Sequence, residues 1–238
     1  MGNVCLFMIN GLGMGNSTRC YAVMEELFRE DVEIHVLTSG NGMEFFRDKT
    51  EIKSLTEMKN FFYSVKDNKI SPWRTLLSVG RLAKCAFEKK RRLEEVLASV
   101  QPDVLVTDSE YTVGPAKRRK IPVLALNNSD VVVTEYLRRK DKPAAIAGQF
   151  WLVEFMDYLF HRFFVTAVIS PAPLRLPVRH KRVKRVGLII RNEIKDSLPP
   201  SSGSFPDPRS MRSLLFMLSG SVLGTKKTLL FHDLPYKV

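Results

Sequence analysis

The chain has 238 residues, 45% of them hydrophobic and 26% charged, with a net charge of +12. That length suits one large or two small domains with a proper core, and the composition is that of an ordinary globular protein rather than a disordered one. The positive balance points to anionic partners, among them phospholipid headgroups, nucleic acid and nucleotide diphosphates, or to a plain basic surface.

Val4 to Ile9 is a continuous apolar run, as a parallel strand covered on both faces requires. Gly11, Gly13 and Gly15 follow at every second position. They allow a tight turn and let a ligand approach the backbone. Asn16 or Ser17 is placed to cap the next helix, whose free N–H groups make an anion site. The alternative is a strand-to-helix turn without a ligand. The spacing is not the dinucleotide fingerprint, and the second strand ends in Leu37-Thr38-Ser39 without an acid. It is not a P-loop either, because Asn16 stands where the lysine is needed and Asn10 where the first glycine is needed.

The stretch Gly11-Leu-Gly13-Met-Gly15-Asn16-Ser-Thr-Arg19 resembles the first loop of GT-B glycosyltransferases. The pattern is that of family 28 and its MurG-like and UDP-glycosyltransferase relatives, Gly-x-Gly-x-Gly-His-x-x-Arg. Arg19 matches, and Asn16 replaces the histidine. The resemblance implies an α/β, Rossmann-like parallel sheet with helices on both faces, forming an acceptor-side amino-terminal domain. It also implies a nucleotide-sugar donor, UDP-linked in those relatives. An amide at position 16 cannot serve as a base near neutral pH, so the usual mechanism of those relatives does not carry over unchanged.

In chain order, Cys20, Val23, Met24, Leu27 and Phe28 give a helical stripe over 17–29, and 33–38 reads as the second strand. A short helix follows Gly40, and 52–55 is a brief third strand. Such repeated β-α-β units imply a parallel sheet. Residues 57–72 carry Phe61, Phe62 and Tyr63 in a loop that either faces the acceptor or tucks onto the core. A long helix over 74–99 buries Leu76, Val79, Ala83, Ala86, Leu93 and Leu97, leaving Lys84, Lys89, Arg91 and Arg92 on solvated faces.

The strand 103–107 runs into Asp108 and Glu110, followed by Ile121-Pro122-Val123. This succession is the second point of resemblance. Ligands of open α/β sheets bind at the carboxyl ends of strands. Either carboxylate can take a proton from an acceptor hydroxyl, or Asp108 or Ser109 simply caps a helix over 111–120. After the strand 123–126, Asn127 to Asp130 lie at the same edge. Residues 150–164 are rich in bulky apolar side chains but too interrupted by charge to span a membrane. They read as a core helix, with an interfacial one as the alternative. Beyond the strand 165–170 and Pro171, Pro173 and Pro177, the cations Arg175, Arg179, Lys181, Arg182, Lys184 and Arg185 suit either anionic lipid or solvent. Residues 186–190 read as the last strand of this domain.

Residues 191–212 read as a linker and 213–238 as a truncated second domain, a fragment of the donor-binding half. In it Ser219, Gly220 and Ser221 form a loop that, by the resemblance, approaches the donor diphosphate. A complete second domain needs on the order of a hundred more residues. Cys5, Cys20 and Cys85 form no Cys-x-x-Cys and read as reduced thiols of a cytoplasmic protein. His35, His161, His180 and His232 lack metal-ligand spacing, so no metal or other cofactor is expected. Residues 1–9 lack the basic start of a signal peptide.

The expectation is a glycosyltransferase, or the truncated product of one, moving a sugar from a nucleotide-sugar to an acceptor hydroxyl on a lipid or glycan. It would be cytoplasmic and peripheral to an anionic membrane. The alternative is a non-catalytic acceptor-binding or membrane-docking subunit that needs a separate donor-binding chain. Nucleic acid ranks last as a partner, because no recognisable binding motif accompanies the charge.

Overall fold

A computed structural model describes residues 2–60, 65–66, 69–70, 79–142, 144–172, 178 and 180–197. The elements in chain order begin with β1 (Val4–Ile9), α1 (Met14–Arg29), β2 (Glu33–Thr38), α2 (Asn41–Phe46) and β3 (Ser54–Glu57). A two-stranded antiparallel ribbon, β4 (Val65–Lys66) and β5 (Lys69–Ile70), precedes α3 (Val79–Val100). Then come β6 (Val104–Asp108), α4 (Gly114–Arg118), β7 (Val123–Leu126), α5 (Ser129–Arg138) and α6 (Ala144–Gln149). A π-helical turn (Phe150–Glu154) leads into α7 (Phe155–Phe164), followed by β8 (Ala167–Pro171), β9 (Val183–Val186) and α8 (Asn192–Ser197).

Seven strands form one parallel sheet in the order β3-β2-β1-β6-β7-β8-β9. β1 is central because nearly every residue in it is apolar on both faces. Leu6 and Met8 point to one side and join Leu93 and Leu97 of α3, Leu105 and Ala116. Cys5, Phe7 and Ile9 point to the other and join Cys20 and Met24 of α1, Ile34, Val36 and Phe46. This alternation is the period of two that a strand imposes. Leu6, Phe7, Met8 and Ile9 are fully enclosed, and each such burial stabilises the fold by about 1.5–3 kcal/mol. The doubly wound sheet with helices on both faces is the architecture that the repeated strand-helix-strand pattern implied.

Several local expectations shift. α1 starts at Met14 with Gly13 at its N-cap and no side-chain cap, so neither Asn16 nor Ser17 caps it. Ser17 is enclosed instead, close to Gly42 of α2. The strand expected at 186–190 lies at Val183–Val186, and the one expected at 52–55 lies at Ser54–Glu57. The segment read as a linker opens with the helix α8, whose Asn192 N–H donates to Glu25 Oε2 of α1 at 2.9 Å. The helix over 150–164 is not a core helix: only Phe150 and His161 in it are buried. The three cysteines are free and buried, and burial pushes the Cys5 thiol up to about 12. Phe61, Phe62, Tyr63, Arg175, Arg179, residues 198–212, and residues 213–238 with Ser219, Gly220 and Ser221 lie outside the described residues.

Candidate functional site

β1 pairs with β2 on one side and with β6 on the other, so the chain order reverses between β1 and β6. In doubly wound sheets this switch point opens a crevice at the carboxyl ends of the strands, and ligands bind there. Two loops meet at it, one after Ile9 and one after Asp108, residues that face each other in register. Asn10 ties them together. Its N–H donates to the Asp108 carbonyl at 3.0 Å, and its Nδ2 donates to the Ser109 carbonyl at 3.2 Å. Its Oδ1 accepts from the Leu12 N–H at 2.9 Å, which closes the glycine turn.

The three glycines do different work. A Cβ on Gly11 would overlap the Ser39 carbonyl oxygen, and the Gly11 carbonyl accepts from the Asn41 N–H at 3.1 Å. Gly11 therefore packs the turn against the β2–α2 connection. At Gly13 and Gly15 an added Cβ would meet nothing within 4 Å, and neither residue has a positive φ. Neither backbone conformation nor internal packing demands glycine at these two positions. What their bareness leaves is an uncovered first turn of α1, with no acid in it. Free N–H groups and the positive end of the helix dipole there favour an anion.

Behind this turn Arg19 reaches Asp108 through two parallel bonds, Nε to Oδ2 at 2.9 Å and Nη2 to Oδ1 at 2.6 Å. Asp108 also accepts from Ser109 Oγ and Cys20 Sγ and has no exposed surface. Burial pushes its carboxyl above the ordinary value, against the pull of Arg19. Asn16 bridges the turn, donating from Nδ2 to the Asn10 carbonyl and accepting from Arg19 Nη2. Ser109 adopts a left-handed conformation, φ 55°, that bends the chain between the two acids. Such a conformation costs a non-glycine residue roughly 1–2 kcal/mol. It is held by the Asn10 contact and by Thr107 Oγ1, which donates to the Glu110 carbonyl at 2.8 Å.

Glu110 is enclosed too. Lys89 Nζ lies 2.6 and 2.8 Å from its two oxygens, and neither side chain is exposed. Burial raises the Glu110 carboxyl, with Lys89 opposing. Proton abstraction by Asp108 or Glu110, as the sequence suggested, needs an oxygen that faces the ligand. In this structure both acids are turned inward onto cations. Nor does Asp108 or Ser109 cap the next helix, which begins only at Gly114 behind Val113. Lys89 is the residue the sequence placed wrongly. It stands four after Cys85 and four before Leu93, on the buried stripe of α3, and not among the solvated charges.

A family model described as glycosyl transferase family 1 matches residues 4–195. The chain belongs to this glycosyltransferase family. A Methanosarcina mazei protein named as an uncharacterized glycosyltransferase is 30% identical over 186 residues, covering 74% of this chain and 46% of that protein. A Methanosarcina acetivorans protein with the same name is 28% identical over 166 residues, covering 65% and 39%. The chain thus spans less than half the length of these curated relatives. The crystal structure of Acinetobacter baumannii MurG aligns with a TM-score of 0.47 at 14% identity, over 75% of this chain and 44% of that one.

In this family 1 chain a second polar cluster lies beside the first, at the carboxyl end of β7. Asn127 Nδ2 donates to Asp157 Oδ2 at 3.0 Å, and His161 Nδ1 lies 2.8 Å from the Asp157 carbonyl and 3.2 Å from its Oδ1. Burial works against the Asp157 charge, but His161, Tyr111 and Asn127 outweigh it and hold the carboxyl below the ordinary range. Ser170 Oγ and Arg185 in turn hold Asp130 at 2.6 and 2.7 Å. Arg185 is therefore committed inside the fold rather than free in a basic loop. Among the described residues, no group of three or more His, Cys, Asp or Glu is placed to hold a metal ion. No helix among them is long and apolar enough to cross a membrane.

Proposed function

We propose that this chain is the acceptor-side part of a GT-B glycosyltransferase, which moves a sugar from a nucleotide-sugar donor to an acceptor hydroxyl. The observation that carries this is the bare first turn of α1 at the β1–β6 switch point, where Gly13 and Gly15 leave space that none of the described residues fills. Membership of a glycosyltransferase family supports the reading. Gly13, Gly15 and Asn16 line the ligand, and Gly11 sets the turn. Arg19, Asp108, Lys89 and Glu110 are positioning residues: their two ion pairs fix the loops after β1 and β6. The family 28 character of the loop is carried by Gly11, Gly13, Gly15 and Arg19, and a UDP-linked donor goes with it. Ser219, Gly220 and Ser221 are assigned to the donor diphosphate, and the acceptor is a lipid or a glycan. The second reading is an acceptor-binding subunit that works with a separate donor-binding chain. The enclosure of Asp108 and Glu110 favours it, since neither carboxylate is free to act as a base.

The test is a transfer assay with the 238-residue chain, using a panel of labelled nucleotide sugars with lipid and glycan acceptors. A Gly13→Val chain is assayed in parallel. Label in the acceptor, lost in Gly13→Val, supports the transferase. Saturable acceptor binding without transfer, also lost in Gly13→Val, supports an acceptor-side part that needs a donor-binding half, in the same protein or on a separate chain. Neither transfer nor acceptor binding overturns both.

A further inference from the structure

The segment from Phe150 to Phe164 turns its apolar side chains outward. Trp151, Leu152, Val153, Met156, Phe163 and Phe164 are 48–63% exposed, and the only other exposed residue of the segment is Arg162. Its two acids turn inward: Asp157 is bound by Asn127, and Glu154 is half-buried, where burial raises its carboxyl. Met156 and Phe163 are seven residues apart in α7 and so share a face. This outward surface is therefore apolar and carries no exposed carboxylate.

Cations bracket it. At the carboxyl end of α7, Arg162 lies over the Phe163 ring and Lys117 over the Phe164 ring, 5.5 and 5.0 Å from the centroids. Arg182 Nη1 donates to the Arg162 and Val165 carbonyls at the same end. At the other end, exposed Arg138, Arg139, Lys140 and Lys142 precede α6, whose Ile146 is exposed as well. A helix face of tryptophan, phenylalanine and leucine flanked by lysine and arginine is what an interfacial helix presents to lipid headgroups. An isologous contact with a second copy needs a self-complementary patch. The exposed acids near this face, Glu135 and Asp141, are already paired with Arg138 and Arg139, and the apolar segment 150–164 itself offers no exposed acid to meet Lys117, Arg162 and Arg182 of a second copy.

We propose that the α6–α7 face docks on an anionic phospholipid bilayer. Trp151, Leu152, Met156 and Phe163 enter the headgroup layer, while Lys117, Arg162 and Arg182 meet lipid phosphates. Docking does not depend on whether the chain transfers sugar. It centres on the helix expected to be core and takes only Arg182 from the basic stretch after Pro177, in which Arg185 is held by Asp130.

The test is co-sedimentation of the full chain with vesicles of phosphatidylcholine alone and of phosphatidylcholine with an equal part of phosphatidylglycerol. The chain has two tryptophans, Trp73 and Trp151; on a Trp73→Phe background the emission of Trp151 reports insertion directly. Binding to the anionic vesicles is expected, with a blue shift of Trp151. Partition should fall at least tenfold on neutral vesicles, and at least tenfold in Leu152→Ser/Phe163→Ser. Both positions are exposed, so the thermal midpoint should stay put; if it does not, Lys117→Glu/Arg162→Glu serves instead. Three results each overturn the proposal: no binding to anionic vesicles, equal binding by the variants, or a concentration-dependent dimer that the same substitutions dissolve.

Discussion

Lys89 Nζ sits 2.6 and 2.8 Å from the two carboxylate oxygens of Glu110, and both side chains are sealed from solvent. The pair joins α3 to the loop that follows β6, and so fixes one wall of the crevice at the sheet's switch point. Removing one member of a buried ion pair strands the other charge, at a cost of about 3–5 kcal/mol. Lys89→Met should lose about that much in urea unfolding. Lys89→Met/Glu110→Met should recover most of it, since two apolar groups of similar volume leave no stranded charge. A single substitution costing under about 1 kcal/mol would contradict the enclosure of the pair.

The three glycines should separate by assay. Gly11→Ala drives a methyl group into the Ser39 carbonyl and should cost about 1–3 kcal/mol or more, as overpacking does. Gly15 lies inside α1 with open space around it, so Gly15→Ala should raise stability by about 0.5–1 kcal/mol through helix propensity. Gly13→Ala should leave stability nearly unchanged. If the bare turn receives the ligand, Gly13→Ala and Gly15→Ala should nevertheless weaken ligand binding. Thermal unfolding read beside ligand titration distinguishes these outcomes.

Asp108 and Arg19 form a forked pair. Asp108→Asn should destabilise by about 1.5–3 kcal/mol, the range for hydrogen bonds to charged groups. Where a transfer rate is measurable, the positioning role proposed for this carboxylate predicts that Asp108→Asn retains the wild-type pH profile. A fall of about 100- to 10,000-fold with loss of the acid limb of the profile would restore Asp108 as the base.

Asp157 has its carboxyl held below the ordinary range by His161, Tyr111 and Asn127, against burial. A depressed folded value means that Asp157 contributes stability above the ordinary aspartate range, and that this contribution is lost as pH falls through the depressed value. Unfolding followed from pH 7 downward should show a steeper acid loss in wild type than in Asp157→Asn. Subtracting the two curves cancels the opposite contribution of Asp108 and Glu110, whose carboxyls are raised. Parallel curves would mean that the Asn127–Asp157–His161 cluster adds nothing.

How far the sequence reaches depends on the kind of signal. β1 was legible because both faces of the strand are buried and Val4 to Ile9 is apolar without interruption. β7 was legible for the same reason, and β2 and β6 from shorter apolar runs, Val36-Leu37 and Val104 to Val106. Asp108 at a strand end beside the glycine turn was legible from chain order alone, since the register of a doubly wound sheet brings those ends together. Lys89 was misplaced because a lysine counts as solvated in any charge pattern. Only the acid across the crevice, 21 residues later, reveals that its position on the stripe is buried. The segment 150–164 was misread because hydrophobicity reports apolar side chains but not which way they face. Asp157 turns inward to Asn127 and His161, and that rotation puts Trp151, Met156 and Phe163 outside. Asn10 left only a faint trace, a single amide ending an apolar strand, and its two bonds across the switch point become visible only with both loops in place.

The most direct measurement is amide chemical-shift mapping of the isotope-labelled chain, titrated with nucleotide sugars and with acceptor alcohols. Ligand contact at the bare turn predicts saturable shifts concentrated at Leu12 to Ser17 and at Ser109 to Tyr111, abolished in Gly13→Val. Saturable shifts elsewhere with these amides unmoved, or identical shifts in Gly13→Val, would contradict a ligand site at the β1–β6 crevice.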